Sequence, residues 1–178
     1  MDADAYGDMV AGHATEVRSR WTAANLHFLF LCPYEELHLK PNPVLDRATG
    51  GLWNWDVAET FIGSERDPFD RYREFELSPQ GEWLDLDIDL KQPDKVALTS
   101  WKSGFQVAAR IQQDRNLWVG AMRIPFASIE AGEPRAGHVL RINFFRSQGT
   151  KPIEMAWQPP HQPSFHSPEH FGLLKLAS

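Results

Sequence analysis

Leu52-Trp53-Asn54-Trp55-Asp56-Val57-Ala58-Glu59-Thr60-Phe61-Ile62 places two indoles just before an apolar strand that carries a carboxylate within it. A solvent-reachable indole stacks on the C–H face of a pyranose, and a fixed carboxylate beside it accepts hydroxyl hydrogen bonds. The competing reading is that both tryptophans are core residues, the commoner fate of a lone indole.

Further carboxylates follow on what read as neighbouring strands. Glu59, Glu74 and Glu76 are placed to face one groove, the arrangement a glycosidase needs. Such an enzyme holds two carboxyls about 5–5.5 Å apart for retention or about 6.5–9.5 Å apart for inversion. Glu59 and Glu76 are the candidate pair for that alternative, a glycoside hydrolase. Ion pairing of these glutamates with Arg71, Arg73 and Arg141 is the plainer expectation. The row Asp85, Asp87 and Asp89 offers oxygen ligands for calcium, but alternate side chains on a strand stand about 7 Å apart. A solvated face is the simpler account of that row.

The histidines give no metal signature. His161, His166 and His170 come nearest, yet Pro159, Pro160, Pro163 and Pro168 forbid the regular helix that would align them. His166 reads better as a hydrogen-bond partner for a hydroxylated ligand. No serine sits in a Gly-x-Ser-x-Gly elbow. Met122 and His138 are the one candidate pair of haem ligands, and nothing in their spacing marks them as a pair. Cys32, the sole cysteine, lies in the apolar run Leu26 to Cys32 and reads as an inert, buried hydrophobe.

The elements that must position these residues are short strands. A chain of 178 residues suits a single domain, residues 1–178, with a substantial core. Seven Trp, 11 Phe and 13 Pro favour strands joined by stiff loops over a helical bundle. The net charge of −6 argues against a nucleic-acid partner, the one basic cluster being Arg66, Arg71 and Arg73 with acids interleaved. Met1 to Gly12 lacks the form of a secretory signal, and no run reaches membrane-spanning length, so no membrane partner is expected.

Alternating segments recur at Leu26–Cys32, Val57–Ile62, Arg71–Ser78 and Leu84–Leu90. Gly104–Gln113 and Leu117–Ile124 form a hairpin through Asp114-Arg115-Asn116. His138–Arg146, Met155–Trp157 and Phe171–Leu176 complete the set, with one helical turn expected over Phe126–Glu130. With an early strand at Trp21, the expectation is an all-β antiparallel β-sandwich, immunoglobulin-like or DOMON-like, of about nine or ten strands. Its long loops, Leu39–Gly51 and Gln148–His170, carry the aromatic residues.

In this order the chain resembles the family 9-like carbohydrate-binding modules over Thr15 to Leu176. Trp21 and Leu26-His27-Phe28 match the early strands. Trp53 to Ile62 fits a Trp-x-x-Asp-x-x-Glu-x-Phe-Ile pattern, and Tyr72 to Pro79 fits Tyr-x-x-Phe-x-x-Asn except that Ser78 replaces Asn. Ile124-Pro125-Phe126, Arg141-Ile142-Asn143-Phe144 and Pro168-Glu169-His170-Phe171-Gly172 follow. The family's first strand is absent or replaced by Met1 to His13.

The resemblance implies non-catalytic binding of a mono-, oligo- or polysaccharide between two aromatic side chains. Trp53 matches the first. Phe165 stands where studied modules carry Trp as the second. Glu59 matches a hydroxyl-binding carboxylate. Glu76 and Ser78 occupy the places of an arginine and an asparagine, and Arg141, Asn143 and His166 are the candidate substitutes. The resemblance further implies a bacterial, extracellular or periplasmic module of the kind attached to glycoside hydrolases. It implies no cofactor, although some relatives hold structural calcium.

Overall fold

Burial alternates residue by residue along Asn25–Pro33 and Trp83–Asp89 of the computed structural model, which describes residues 1–65, 67–92, 96–97, 101–129 and 133–178. Arg66 of the basic cluster and Glu130 of the expected helical turn lie outside the described residues. The strands are β1 (Ala3–Asp4), β2 (Glu16–Trp21), β3 (Asn25–Pro33), β4 (Val57–Ser64), β5 (Arg71–Leu77) and β6 (Trp83–Asp89). They continue with β7 (Val96–Ala97), β8 (Gln106–Gln112), β9 (Leu117–Pro125), β10 (Val139–Gln148), β11 (Ile153–Ala156) and β12 (Gly172–Lys175). A single helical turn, α1 (Phe126–Ile129), follows β9.

All pairings are antiparallel and form two sheets. One runs β1-β11-β10-β4-β5-β6-β7, with β12 also on β10; the other runs β2-β3-β9-β8. The fold is therefore an antiparallel β-sandwich. The strands legible from alternation are all present. To them the structure adds β1, where Ala3 and Asp4 within Met1 to His13 pair with β11, and β7; two residues are too few to show a period.

Between the sheets, β3 contributes Leu26, Phe28, Phe30 and Cys32, and β9 contributes Trp118, Met122 and Ile124. They meet Ala58, Ile62, Phe75, Leu77, Ile142 and Phe144 of the larger sheet. Gly120 lets β9 approach: a Cβ there would lie 2.7 Å from the Trp118 ring and 2.8 Å from Leu77. Met122 is buried in this layer with its sulfur accepting from the Thr60 hydroxyl, which takes it away from a haem role with His138. Burial pushes the Cys32 thiol up to about 12, in keeping with an inert side chain.

The larger sheet is buried on its outer face as well. Val57, Phe61, Tyr72, Leu84, Leu86, Ile88 and Phe145 form a second apolar layer, covered by Leu52 and, in part, by Phe165 and Phe171. Hence all eight residues of β4 are buried. The carboxylate face of β6 is half-buried and occupied: Asp85 accepts from Ser103, Asp87 pairs with Arg71 and Arg73, and Asp89 accepts from the Lys91 N–H.

β10 has one edge fully paired with β4 and the other divided. β12 pairs with residues 139–142 and β11 with residues 145–148. The segment 157–171 connects these two half-length partners across the outer face. Asn143 marks the division: it donates to the Gln158 carbonyl at 2.8 Å and accepts from the Gln158 N–H at 3.0 Å. No helix among the described residues is long and apolar enough to cross a membrane.

Candidate functional site

A cavity of about 320 Å³ opens on the outer face of the larger sheet. Phe61 and Leu86 supply apolar lining from β4 and β6, and Glu59 and Glu74 line it beside them. Trp53, Ser147, Glu154 and the segment Pro163–His166 form the rest of the boundary.

Trp53 owes its position to its neighbours. Gly51 takes a left-handed φ of 74° before the turn Leu52–Asn54, and Leu52 is fully buried as the anchor. The next residue is thereby turned outward, leaving Trp53 49% exposed. Trp55 packs instead against His38, with ring centroids 4.5 Å apart. Asp56 is buried and accepts from the Gly149 N–H at 2.6 Å, joining the start of β4 to the β10–β11 turn.

On the other wall, Phe165 stacks on Phe145 with centroids 4.2 Å apart and an interplanar angle of 13°. One ring face is thus backed by the sheet. The segment is braced locally: Ser167 donates to the Ser164 carbonyl at 2.9 Å and accepts from Gln162. His166 Nδ1 lies 2.6 Å from the Tyr72 hydroxyl and 4.0 Å from Glu74 Oε2. Burial, reinforced by Glu74 and Glu169, pushes the Tyr72 phenol above its usual range, so Tyr72 keeps its proton, and the imidazole tautomer sets which partner donates. The 4.0 Å contact with Glu74 is an ion pair only when the His166 ring is protonated and Glu74 is ionised.

Beneath these walls sits a carboxyl cluster. Glu59 opposes Glu76 in the β4–β5 register, and Glu74 lies two residues along the same face. Their carboxylate oxygens fall within 4.8 Å of one another, and their exposures are 3%, 0% and 3% for Glu59, Glu76 and Glu74. Burial pushes all three up, Glu74 to about 7 and the other two well above the carboxylate range, with their mutual repulsion adding for Glu59 and Glu76. Neither oxygen of Glu76, nor Oε2 of Glu74, meets a hydrogen-bond donor among the described residues. Contact between the Glu74 and Glu76 carboxyls is a hydrogen bond only when one of them carries a proton.

The expected ion pairing of these glutamates does not occur. Strand alternation places Arg73 on the opposite face, where it pairs with Asp87 at 2.8 Å. The cluster is also the one group of three candidate metal-ligating side chains among the described residues. Calcium takes six to eight oxygens, and the adjacent Phe61 and Leu86 offer none.

Of the residues expected from sequence, the structure brings Trp53, Glu59, Phe165 and His166 to one cavity. Glu76 touches the cluster but contributes no surface to the cavity, so Glu59 and Glu76 do not flank an open groove. Asn143 and Arg141 are not brought to the site. Asn143 is fully buried and committed to Gln158 and the Phe144 N–H. Arg141 donates to the Phe69 carbonyl at 2.9 Å, with its guanidinium 4.7 Å over the Phe69 ring. Glu74, Ser147 and Glu154 complete the cavity. Glu74 was legible as the same-face neighbour of Glu76; Ser147 and Glu154 carried no comparable signal.

No protein-family model matches the chain. Among curated proteins, an "Extracellular protein" of the fungus Arthroderma benhamiae is 26% identical over 136 residues, covering 67% of this chain and 60% of its own length. The chain thus spans less than two thirds of that relative. Among solved structures, a candidate carbohydrate-binding protein from Bacteroides uniformis superposes with a TM-score of 0.77 at 19% identity, covering 99% of this chain and 83% of its own. A family 9 carbohydrate-binding module from Caldicellulosiruptor kristjanssonii, solved with cellotriose and with glucose, gives a TM-score of 0.63 at 13% identity. It covers 94% of this chain and 77% and 78% of its own in the two complexes. The chain therefore has the β-sandwich fold of the family 9 carbohydrate-binding modules.

Proposed function

We propose that the chain binds saccharides at this cavity without cleaving them. The observation that carries the reading is the meeting, in one cavity, of a half-exposed indole, a sheet-backed phenyl ring and two buried carboxyls. Trp53 and Phe165 come from segments more than a hundred residues apart. Their π-faces suit the C–H faces of a sugar ring, and Glu59 and Glu74 accept its hydroxyl hydrogen bonds. Binding of cellotriose and glucose by the Caldicellulosiruptor module supports the same ligand class here. The description of the fungal relative as extracellular supports a setting outside the cytoplasm, where polysaccharides are met.

Stacking contributes about 1–3 kcal/mol in total, and each net neutral hydrogen bond about 1 kcal/mol. Affinities in the micromolar to millimolar range follow. A glycan screen followed by calorimetry on the hits tests this. Trp53→Ala should abolish measurable binding while leaving the fold intact, because its side chain is largely outside the core. Undiminished affinity in that variant, or no binding across the screen, would refute the reading. The full burial of Glu76, which adds no surface to the cavity, weighs against the glycosidase alternative built on Glu59 and Glu76.

A further inference from the structure

The polar part of the cavity is rich in acceptors. Glu59, Glu74 and Glu154 line it, and Glu76 stands against the first two. Among the described residues no Lys or Arg side chain lines it. Of the donors that sequence suggested, Arg141 and Asn143 are committed to Phe69 and Gln158, while His166 lines the cavity with Nδ1 against the Tyr72 hydroxyl. Glu74 is 3% exposed, lines the cavity, and has one oxygen with no donor.

A neutral sugar can accept from Ser147, Ser164 and His166, but its hydroxyls must still supply every donor to Glu59, Glu74 and Glu154. Buried carboxylates also lack a counter-charge, which makes their ionised form costly. An ammonium group answers both demands: it has three donors, no acceptor and one positive charge. The π-faces of Trp53 and Phe165 suit a cation as well as they suit C–H groups.

We infer that the cavity selects a saccharide bearing a protonated amine, a 2-amino-2-deoxy sugar or its oligomers, over the corresponding neutral sugar, with the ammonium held by Glu59 and Glu74. The inference rests on the saccharide reading above and specifies its ligand. A divalent cation fits less well, since calcium takes six to eight oxygens and the cluster brings one ligand atom from each of three glutamates together.

The test titrates the full chain separately with glucosamine, glucose, N-acetylglucosamine and calcium chloride by calorimetry. It is run at about pH 7, below the roughly 8 at which α-amino groups titrate. N-acetylglucosamine retains the ring and the nitrogen but removes the charge. Glucosamine should bind roughly tenfold or more tightly than either neutral sugar, the factor that one charge-assisted hydrogen bond supplies. That ratio should fall toward one in Glu74→Gln, whose folding is checked by circular dichroism. Should the variant not fold, the wild-type ligand series decides alone. Equal affinity for all three sugars, or preference for a neutral one, overturns the inference and leaves saccharide binding standing. Binding of none of the three sugars, with or without a calcium response, overturns both.

Discussion

Replacing Glu74 by Gln should stabilise the protein, and the gain should grow with pH. Glu74 is 3% exposed, sits within 4.8 Å of two other carboxyls, and has its pKa raised from an ordinary 4.5 to about 7, chiefly by burial. A carboxyl whose pKa is raised by folding favours the protonated native state. Its stabilising contribution is fully present below about pH 4.5 and is lost as pH rises through about 7. The size of that loss is about 3 kcal/mol, at 1.36 kcal/mol for each unit between the two values. Gln has nearly the same shape, carries no charge, and offers an amide donor to the unpartnered Glu76 oxygens. Urea unfolding of both proteins at about pH 5 and about pH 8.5 gives the difference directly. The two should differ little at the lower pH, with the variant ahead by about 3 kcal/mol at the higher, roughly 6–12 °C in Tm for a chain of this size. A difference that does not change with pH, or a variant less stable at high pH, would refute the reasoning, because the cluster would then be stably ionised.

Two further outcomes concern the scaffold. Asn143→Ala removes both hydrogen bonds to Gln158 and one to the Phe144 N–H, in a fully buried position; a loss of about 1–3 kcal/mol on thermal unfolding is expected, together with weaker sugar binding as the Phe165 segment loosens. Native Cys32 should resist a thiol reagent until the protein is unfolded, since burial holds the thiol proton to about pH 12; rapid labelling under native conditions would contradict its burial.

The faces of the strands were legible where alternation is strict. Leu84, Leu86 and Ile88 share a side, as do Tyr72, Glu74 and Glu76, so two members of the carboxyl cluster followed from parity, while their meeting with Glu59 required the β4–β5 register. What parity does not reveal is what covers a face. Leu84, Leu86 and Ile88 pack into a second layer beneath the loops, and β4 is buried on both sides. Arg141 and Asn143 illustrate the same limit. Both lie on β10, on the face the site uses, but their partners are Phe69 and Gln158, and contacts between segments so placed leave no local pattern. Trp53 was legible because the turn residues around it are local, whereas the support of Phe165 by Phe145 required the assembled sheet.

The divided edge of β10 has a bearing on how binding preferences diversify. Residues 157–171 begin and end against the same strand, so both attachment points are set by sheet pairing and not by what lies between. Closing a longer segment between fixed ends costs little more, because closure entropy rises only logarithmically with length. One whole wall of the pocket is thereby free to be lengthened, shortened or rewritten while the barrier of β4, β5 and β6 behind it stays in register. Related chains that recognise different ligands should differ most in this stretch and least in the strands it spans.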